Sequence, residues 1–331
     1  MMRPCARGMA LLKLICAALV LLAGPASAQA QDMPVIRVAV LEIGTVNWEL
    51  ATIARNGLDR KHGFRLKVQP YADNGATRIA VKGGAADMAV ADWIWLARQR
   101  AAGKGYVFIP YSRAVGGVVV PGASTATTLE DLKGGKIGIA GGPLDKSWLI
   151  LRAYAQQAYG MDLEAQTRQV YGAPPLIFKS ATRSDYAGAI NFWHFLSKMK
   201  ATGMRELITV EEAGKALGLD TDTPLLGYYM KDSFLEAYPG LAQAFYDASR
   251  EAKDILAASD AAWEALRPDM NAATDAEFAQ LKKDWLAGTP PRGPVDAQAA
   301  GKLLALLAKL GGPDLVGRAT GIPAGLFADV K

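Results

Sequence analysis

Residues Thr128 to Trp148 read TLEDLKGGKIGIAGGPLDKSW, and the order of residue types in this stretch predicts a strand-to-helix corner. A turn of helix comes first, a Gly-Gly corner follows, and a short buried strand occupies Lys136–Ala140. A glycine–proline break then opens a new helix near Leu144. The first-turn amides of such a helix have no partner within the helix, and Lys146 stands beside them. The corner is therefore expected to attract an anionic or polar solute.

The amino-terminal residues have the features of a secretory signal peptide. Three basic residues lie within the first 13 positions, and residues 9–23 are apolar apart from Lys13. Motifs of the A-x-A type end at Ala28 and Ala30. The apolar run is shorter than the roughly 20 residues that a membrane-spanning helix needs. We therefore predict that residues 1–30 are a signal peptide, cleaved after Ala28 or Ala30, and that the remaining chain is exported and soluble.

Cysteine and charge narrow the functional class of the exported chain. Both cysteines, Cys5 and Cys16, fall in the predicted signal peptide, and Cys16 lacks the preceding small residue of a lipoprotein signal. The exported chain then has no disulfide, no thiolate metal site and no cysteine nucleophile. Of 37 basic residues three also lie in this segment, which leaves 34 against 32 acidic residues and a net charge of about +2. This charge is too small to predict binding to nucleic acid or to an anionic membrane.

Strand and helix patterns alternate along most of the chain. The β-branched run VIRVAVL at Val35–Leu41 predicts a buried strand, and helix and strand patterns follow each other from there to residue 121. The small-residue stretch 121–128 interrupts the alternation and predicts a crossing between lobes, after which a second alternating set begins. After Met230 the pattern is almost wholly helical. The fold class predicted is α/β, with parallel sheets covered by helices on both faces.

Four segments, in this order and spacing, resemble the nitrate, sulfonate and taurine group of periplasmic solute-binding proteins. They are NGLDRKHGFRLKV from Asn56, GGAADMAVADW from Gly83, LEDLKGGKIGIAGG from Leu129 and MKDSFLEAYPGLAQAFYDASREA from Met230. The resemblance implies a two-lobed periplasmic binding protein fold of type II with the ligand in the cleft. Residues 31–124 and 226–331 would form lobe 1, and residues 125–225 lobe 2. It also implies a periplasmic monomer that delivers its solute to the permease and ATPase subunits of an ABC importer.

Ligands of open α/β sheets lie beyond the carboxyl ends of the strands, a rule that selects four loops here. These loops are residues 44–48, 91–95, 141–148 and 191–194, and together they carry five of the seven tryptophans. From these loops, and from the loop cation Arg183, we predict ten ligand-binding residues: Asn47, Trp48, Asp92, Trp93, Gly142, Lys146, Ser147, Trp148, Arg183 and Trp193. Lys146 and Arg183 would supply positive charge, and Ser147 and the amides near Gly142 hydrogen bonds. Asn47 is equally suited to capping the helix that follows it, and for Asp92 the cap of the following helix is the preferred role.

The tryptophans set this chain apart from the pattern of the family it resembles. Relatives often have a small residue and a proline where this chain has residues 92–95, and a Trp-Glu-Pro-like segment where it has residues 191–194. Bulky indoles would fill a pocket for nitrate or taurine, whereas they suit stacking on a flat ring. The ligand expected is therefore a planar aromatic carboxylate similar to pyrroloquinoline quinone, with aryl sulfonates and thiamine-type pyrimidines next.

Motifs of common enzyme classes are absent from the sequence. It has no G-x-S-x-G elbow, no H-E-x-x-H, no P-loop and no G-x-G-x-x-G turn. The two histidines, His62 and His194, are far apart, which gives a metal site no support. We therefore expect a binding protein without cofactor rather than an enzyme. The alternatives are an exported ligand sensor, or a thiamine-pyrimidine-type binding protein or enzyme of the same fold.

Overall fold

The computed structural model describes residues 33–331. The predicted signal peptide lies outside the described residues, so this prediction stays untested. Residues Pro34–Lys331 form one compact unit that contains two five-stranded sheets. Among the described residues no helix combines the length and the apolar character needed to cross a membrane.

The first sheet is built from both ends of the chain. Its strands are β1 (Val35–Leu41), β2 (Arg65–Tyr71), β3 (Met88–Asp92), β4 (Tyr106–Ser112) and β10 (Leu226–Lys231), in the order β2-β1-β3-β10-β4. β1 is parallel to β2 and β3. The central strands are buried because β-branched and aromatic side chains cover both faces, as in Ile36 and Tyr228.

The second sheet repeats this arrangement with residues from the middle of the chain. Its strands are β5 (Gly117–Val120), β6 (Lys136–Ala140), β7 (Arg168–Gly172), β8 (Gly188–Ile190) and β9 (Arg205–Thr209), in the order β7-β6-β8-β5-β9. The α/β fold class and the strands at Val35–Leu41 and Lys136–Ala140 are confirmed. The sheets are mixed rather than wholly parallel.

One antiparallel strand in each sheet follows a crossing between the sheets. β10 runs antiparallel to β3 and β4, and β5 runs antiparallel to β8 and β9. A strand that enters a sheet from the cleft starts where the parallel strands end, so it must run in the opposite direction. The first crossing is therefore residues 113–116, earlier than the predicted stretch 121–128. Gly117–Val120, which the predicted boundary at residue 124 assigns to lobe 1, pairs within the second sheet.

Helices cover both faces of each sheet. In the first half of the chain they are α1 (Val46–Arg55), α2 (Leu58–Lys61), α3 (Asn74–Gly83), α4 (Trp93–Ala101), α5 (Lys146–Tyr159) and α6 (Pro174–Ala181). In the second half they are α7 (Trp193–Ala201), α8 (Val210–Ala216), α9 (Asp232–Ala237), α10 (Leu241–Ala258), α11 (Asp260–Leu266), α12 (Asp275–Ala287) and α13 (Ala297–Val316).

Local sequence explains where these helices begin and end. The helix predicted near Leu144 begins at Lys146, because the Asp145 side chain accepts the Trp148 amide as an N-cap. The helical segment that follows β1 is divided into α1 and α2. Gly57 stands between them with a φ of 62°, a left-handed conformation that suits glycine.

The carboxyl-terminal helices contact helices that pack on both sheets. On α12, Asp284 accepts from the Ser197 hydroxyl of α7 at 2.6 Å and pairs with Lys200 at 3.0 Å. An aromatic cluster lies beside this contact and includes Trp48, Trp193, Trp263 and Trp285. The first turns of α1 and α7 therefore pack together through Trp48 and Trp193, and the polar contacts of Asp284 fix α7 against α12.

Candidate functional site

A cavity of about 590 Å3 lies between the two sheets. Its walls are the loops and first helical turns that follow strands of both sheets. Residues 114–116 of the first crossing and Leu225, just before β10, complete the lining. Apolar side chains such as Leu144, Phe192 and Leu226 make up much of the lining. This position is where the rule for open α/β sheets places a ligand.

Five of the ten predicted residues line this cavity: Asp92, Gly142, Lys146, Ser147 and Trp193. They come from three of the four predicted loops, and the turn before α1 lines the cavity through Gly44 and Thr45 instead. The structure thus brings the four loops together at one cavity. Whether these side chains contact a ligand stays a prediction.

Lys146 and Asp92 form an ion pair across the cavity. Lys146 Nζ donates to Asp92 Oδ2 at 3.1 Å, and Asp92 Oδ1 accepts the Trp95 amide at 2.8 Å. Asp92 therefore caps α4, which is one of the two roles expected of it. At the same time it neutralises Lys146. The ammonium expected to be free for an anionic ligand already has a carboxylate partner from the first sheet.

The first turn of α5 is also less available than the sequence suggests. The Asp145 carboxylate accepts the Trp148 amide at 3.0 Å. Burial raises the pKa of Asp145, and the hydrogen bond from the Trp148 amide opposes this effect only in part. The acidic cap of this helix therefore satisfies one of the amides that were expected to be unpaired at this corner, that of Trp148.

Three of the predicted tryptophans do not line the cavity. Trp93 and Trp148 are fully buried, and Trp48 is 3% exposed. Trp48 packs in the aromatic cluster and its Nε1 donates to the Asp269 carbonyl at 3.3 Å, whereas Trp93 meets Phe327 edge-on. A first-turn side chain on the inner face of a helix points into the core rather than toward the strand end. Trp193 alone of the four lines the cavity, where its ring meets Trp48 edge-on at 6.0 Å.

Asn47 and Arg183 lie outside the cavity lining for different reasons. The Asn47 amide donates to the Leu41 carbonyl at 3.0 Å and closes the turn before α1, whose N-cap is Thr45. Asn47 is therefore neither the cap nor a cavity residue. Arg183 is exposed and follows the end of α6. A helix that returns from the carboxyl end of one strand ends at the opposite edge of the sheet, away from the cleft.

Sequence reasoning missed one wall of the cavity, which α3 provides. Asn74, Thr77 and Arg78 line it, and the Arg78 guanidinium carbon lies 4.3 Å from the centre of the Trp95 ring. The same strand-end rule would have selected this loop, because α3 follows β2. Residues 72–77 after β2 are small or polar, so the loop itself contains no aromatic or cationic residue that would mark it as a candidate site.

Tyr111 and His194 provide neutral polar groups in the lining. The Tyr111 hydroxyl accepts from Trp285 Nε1 at 3.3 Å, which leaves its own proton for donation. Burial, together with the Glu49 charge, raises the pKa of this hydroxyl. Burial lowers the pKa of His194 to about 4, with a smaller effect from Lys198. Tyr111 stays protonated and His194 stays uncharged near neutral pH.

A buried ion pair anchors the helix that begins at the cavity. Glu49 of α1 pairs with Lys253 of α10, and it also accepts from the Tyr228 hydroxyl at 2.9 Å and the Ser249 hydroxyl at 2.6 Å. Burial lowers the pKa of Lys253, and the Glu49 charge opposes this effect. The pair fixes the position of α1 against α10, and with it the turn at Thr45.

The helix starts around the cavity differ in how their amides are satisfied. Aspartate side chains cap α3, α4 and α5, whereas Thr45 and Phe192 make no side-chain cap bond to α1 and α7. α1 belongs to the first sheet and α7 to the second. An anion that lies between these two starts would meet the positive ends of two helix dipoles. Among the described residues no cluster of acidic or histidine side chains is suited to a metal ion.

Comparisons with known proteins agree with this architecture. The structure is similar to the periplasmic aliphatic sulphonate binding protein SsuA of Escherichia coli, with a TM-score of 0.67 and 18% identity over 87% of this chain and 95% of that one. It is similar to the alkanesulfonate-binding protein SsuA of Xanthomonas axonopodis pv. citri, which was solved with MOPS bound (TM-score 0.65, 18% identity, 90% and 100% coverage). It is also similar to an ABC transporter protein of Parabacteroides distasonis (TM-score 0.65, 16% identity, 89% and 99% coverage).

At these identities the likeness establishes the shared fold, and the predicted two-lobed periplasmic binding protein fold is confirmed. No curated protein sequence matches the chain. The model of the family described as NMT1/THI5 like matches residues 44–262. The match covers more than half of the chain and includes every loop that lines the cavity, and the chain therefore belongs to the NMT1/THI5-like family.

Proposed function

We propose that this protein is the periplasmic substrate-binding component of an ABC importer and that it captures a small organic anion of the sulfonate type. The observation that carries the proposal is the cavity between the two sheets, which opens onto the uncapped starts of α1 and α7. The names of the similar structures, which include sulfonate-binding proteins, support the same class of ligand.

The planar aromatic ligand expected from the tryptophans has less support than an oxyanion with an apolar body. Trp48, Trp93 and Trp148 belong to the core, so the cavity offers one indole, that of Trp193, rather than four. Leu144 and Phe192 line the cavity and are partly exposed, which suits an alkyl or aryl group.

Calorimetric titration of the purified protein tests the ligand class. We expect saturable binding of alkanesulfonates or benzenesulfonate at one site, together with a smaller radius of gyration in X-ray scattering as the lobes close. Binding of uncharged alcohols of the same length, with no binding of any oxyanion, would contradict the proposal. Titration with aromatic tricarboxylates and with a thiamine pyrimidine tests the planar aromatic carboxylate and the thiamine-type pyrimidine that the sequence also suggests as ligands.

Uptake measurements separate transport from the alternatives. A strain that lacks this gene should lose uptake of the radiolabelled ligand, and the protein should be recovered from the periplasm with its first residue at position 29 or 31. Unchanged uptake with a lost transcriptional response would favour an exported sensor. Conversion of the ligand by the purified protein would favour an enzyme.

A further inference from the structure

Arg78 is a cation in the cavity wall without a carboxylate partner among residues 33–331. It lies on α3, lines the cavity and is partly buried. Its side chain makes no ion pair and no hydrogen bond with any residue that the structure describes, and its contact is the face of the Trp95 ring at 4.3 Å. Removing a guanidinium from water without a compensating charge is unfavourable, so such a site is suited to an anion from outside the chain.

The other charged side chains in the cavity lining are already compensated. Lys146 pairs with Asp92 across the cavity. Asp145 accepts the Trp148 amide in the first turn of α5. Arg78 is therefore the cation of the described lining that has no carboxylate partner, and one anionic head group could pair with it.

Aromatic packing holds the Arg78 guanidinium in a defined orientation. Trp95 is stacked on Tyr106, with ring centres 6.1 Å apart and planes 28° apart, and it meets Tyr229 edge-on at 5.5 Å. A guanidinium that lies on an indole gains cation–π energy, while its N–H groups point outward in the plane of the guanidinium, where they can donate to two oxygens. Little side-chain entropy is then left to lose when an oxyanion binds.

We propose that Arg78 is the residue that recognises the charged head of the ligand, and that this head is an oxyanion with one net negative charge, a sulfonate or a carboxylate. The inference rests on the proposed binding of an organic anion and adds the residue and the charge that select it. Trp95 acts as a positioning residue, since it orients the guanidinium. The apolar lining at Leu144 and Phe192 then receives the uncharged part of the ligand.

Calorimetry with sodium hexanesulfonate on the full chain tests this assignment. Arg78→Gln should weaken binding roughly ten- to hundredfold, the loss typical of a hydrogen bond to a charged group. Lys82→Gln removes the same charge from an exposed position on the same helix and should leave affinity within about twofold. Arg78→Lys keeps the charge but not the two-pronged donor, and should fall between the wild type and Arg78→Gln. Trp95→Leu should weaken binding while leaving all charges in place.

The outcomes separate this inference from the proposed function. If the wild type binds hexanesulfonate or hexanoate and Arg78→Gln binds it equally well, Arg78 is not the recognition residue, although the proposed function stands. If the wild type binds neither, and hexanol equally little, the proposed function fails. Tighter binding of benzene-1,3,5-tricarboxylate than of benzenesulfonate would contradict the proposal that the site selects a head group with one negative charge. Should Arg78→Gln fail to fold, Arg78→Lys gives the deciding comparison, and wild-type affinity in this variant would contradict two-pronged recognition.

Discussion

Lys146 at the start of α5 donates to Asp92 at the end of β3, and this 3.1 Å contact joins the walls of the cavity that belong to the second and the first sheet. The two side chains are 26% and 12% exposed, so water screens the contact only in part. The attraction between these two charges helps to hold the two lobes together. A ligand that moved the two walls apart would have to break this ion pair.

A double-mutant cycle on Lys146→Met and Asp92→Asn measures this contact. Asparagine keeps an oxygen for the Trp95 amide, so the helix cap is preserved and only the ion pair is lost. We expect a coupling of about 1 kcal/mol in the free energy of unfolding by urea, because the pair is partly buried. The same cycle on the exposed pair Arg292 and Asp254 should give less than about 0.5 kcal/mol. Equal coupling energies for the two pairs would show that partial burial in the cavity does not strengthen the Lys146–Asp92 ion pair.

The buried pair of Glu49 and Lys253 should be far more sensitive to the loss of one partner. Glu49→Gln leaves the Lys253 ammonium without its carboxylate in a buried site, and we expect a loss of about 3 to 5 kcal/mol in unfolding free energy. Equilibrium denaturation measures this loss. Lys61→Gln, at an exposed pair with Glu251, is the matched control and should cost less than about 1 kcal/mol. A loss below 1 kcal/mol in Glu49→Gln would mean that Lys253 releases its proton at little cost.

His194 should make the protein less stable in mild acid. Its folded pKa of about 4 lies below the ordinary value of 6.5, so the unfolded chain binds the proton more readily. The stability contributed by neutral His194 is complete above pH 6.5 and is lost as the pH falls toward 4, by up to about 3 kcal/mol. His194→Gln should lose this part of the pH dependence. With only two histidines in the sequence, an NMR titration separates His194 from His62, and a midpoint near 6.5 for His194 would disprove its burial.

Gly227 should not tolerate a methyl group. A Cβ atom at this position in β10 would overlap the ring of Phe108 and the carbonyl oxygen of Ile109 on the neighbouring strand. Gly227→Ala should therefore cost about 1 to 3 kcal/mol of unfolding free energy, as overpacking usually does. Gly83→Ala, where a Cβ meets nothing within 4 Å, is the control and should leave stability unchanged or slightly higher. Thermal unfolding of both variants checks the comparison, and similar melting temperatures would contradict it.

Much of the fold follows from local patterns. Short runs rich in valine and isoleucine predict β1 and β6, and the alternation of elements predicts two sheets with helices on both faces. The strand-end rule also places the loops after β1, β3, β6 and β8 at one cleft. The first crossing was placed too late, because a buried strand such as Gly117–Val120 reads the same whichever sheet it joins.

The sequence by itself determines that Lys146 and Trp148 both lie in the first turn of a helix at the carboxyl end of a strand. Only the tertiary structure decides which of them faces the cavity. Two residues along a helix turn the side chain by about 200°, so one of the pair faces the cleft and the other the core. Docking of α5 on its sheet buries Trp148 and leaves Lys146 to meet Asp92, while docking of α3 brings Arg78 to the same cavity. These pairings join residues far apart in the chain, and no local pattern encodes them.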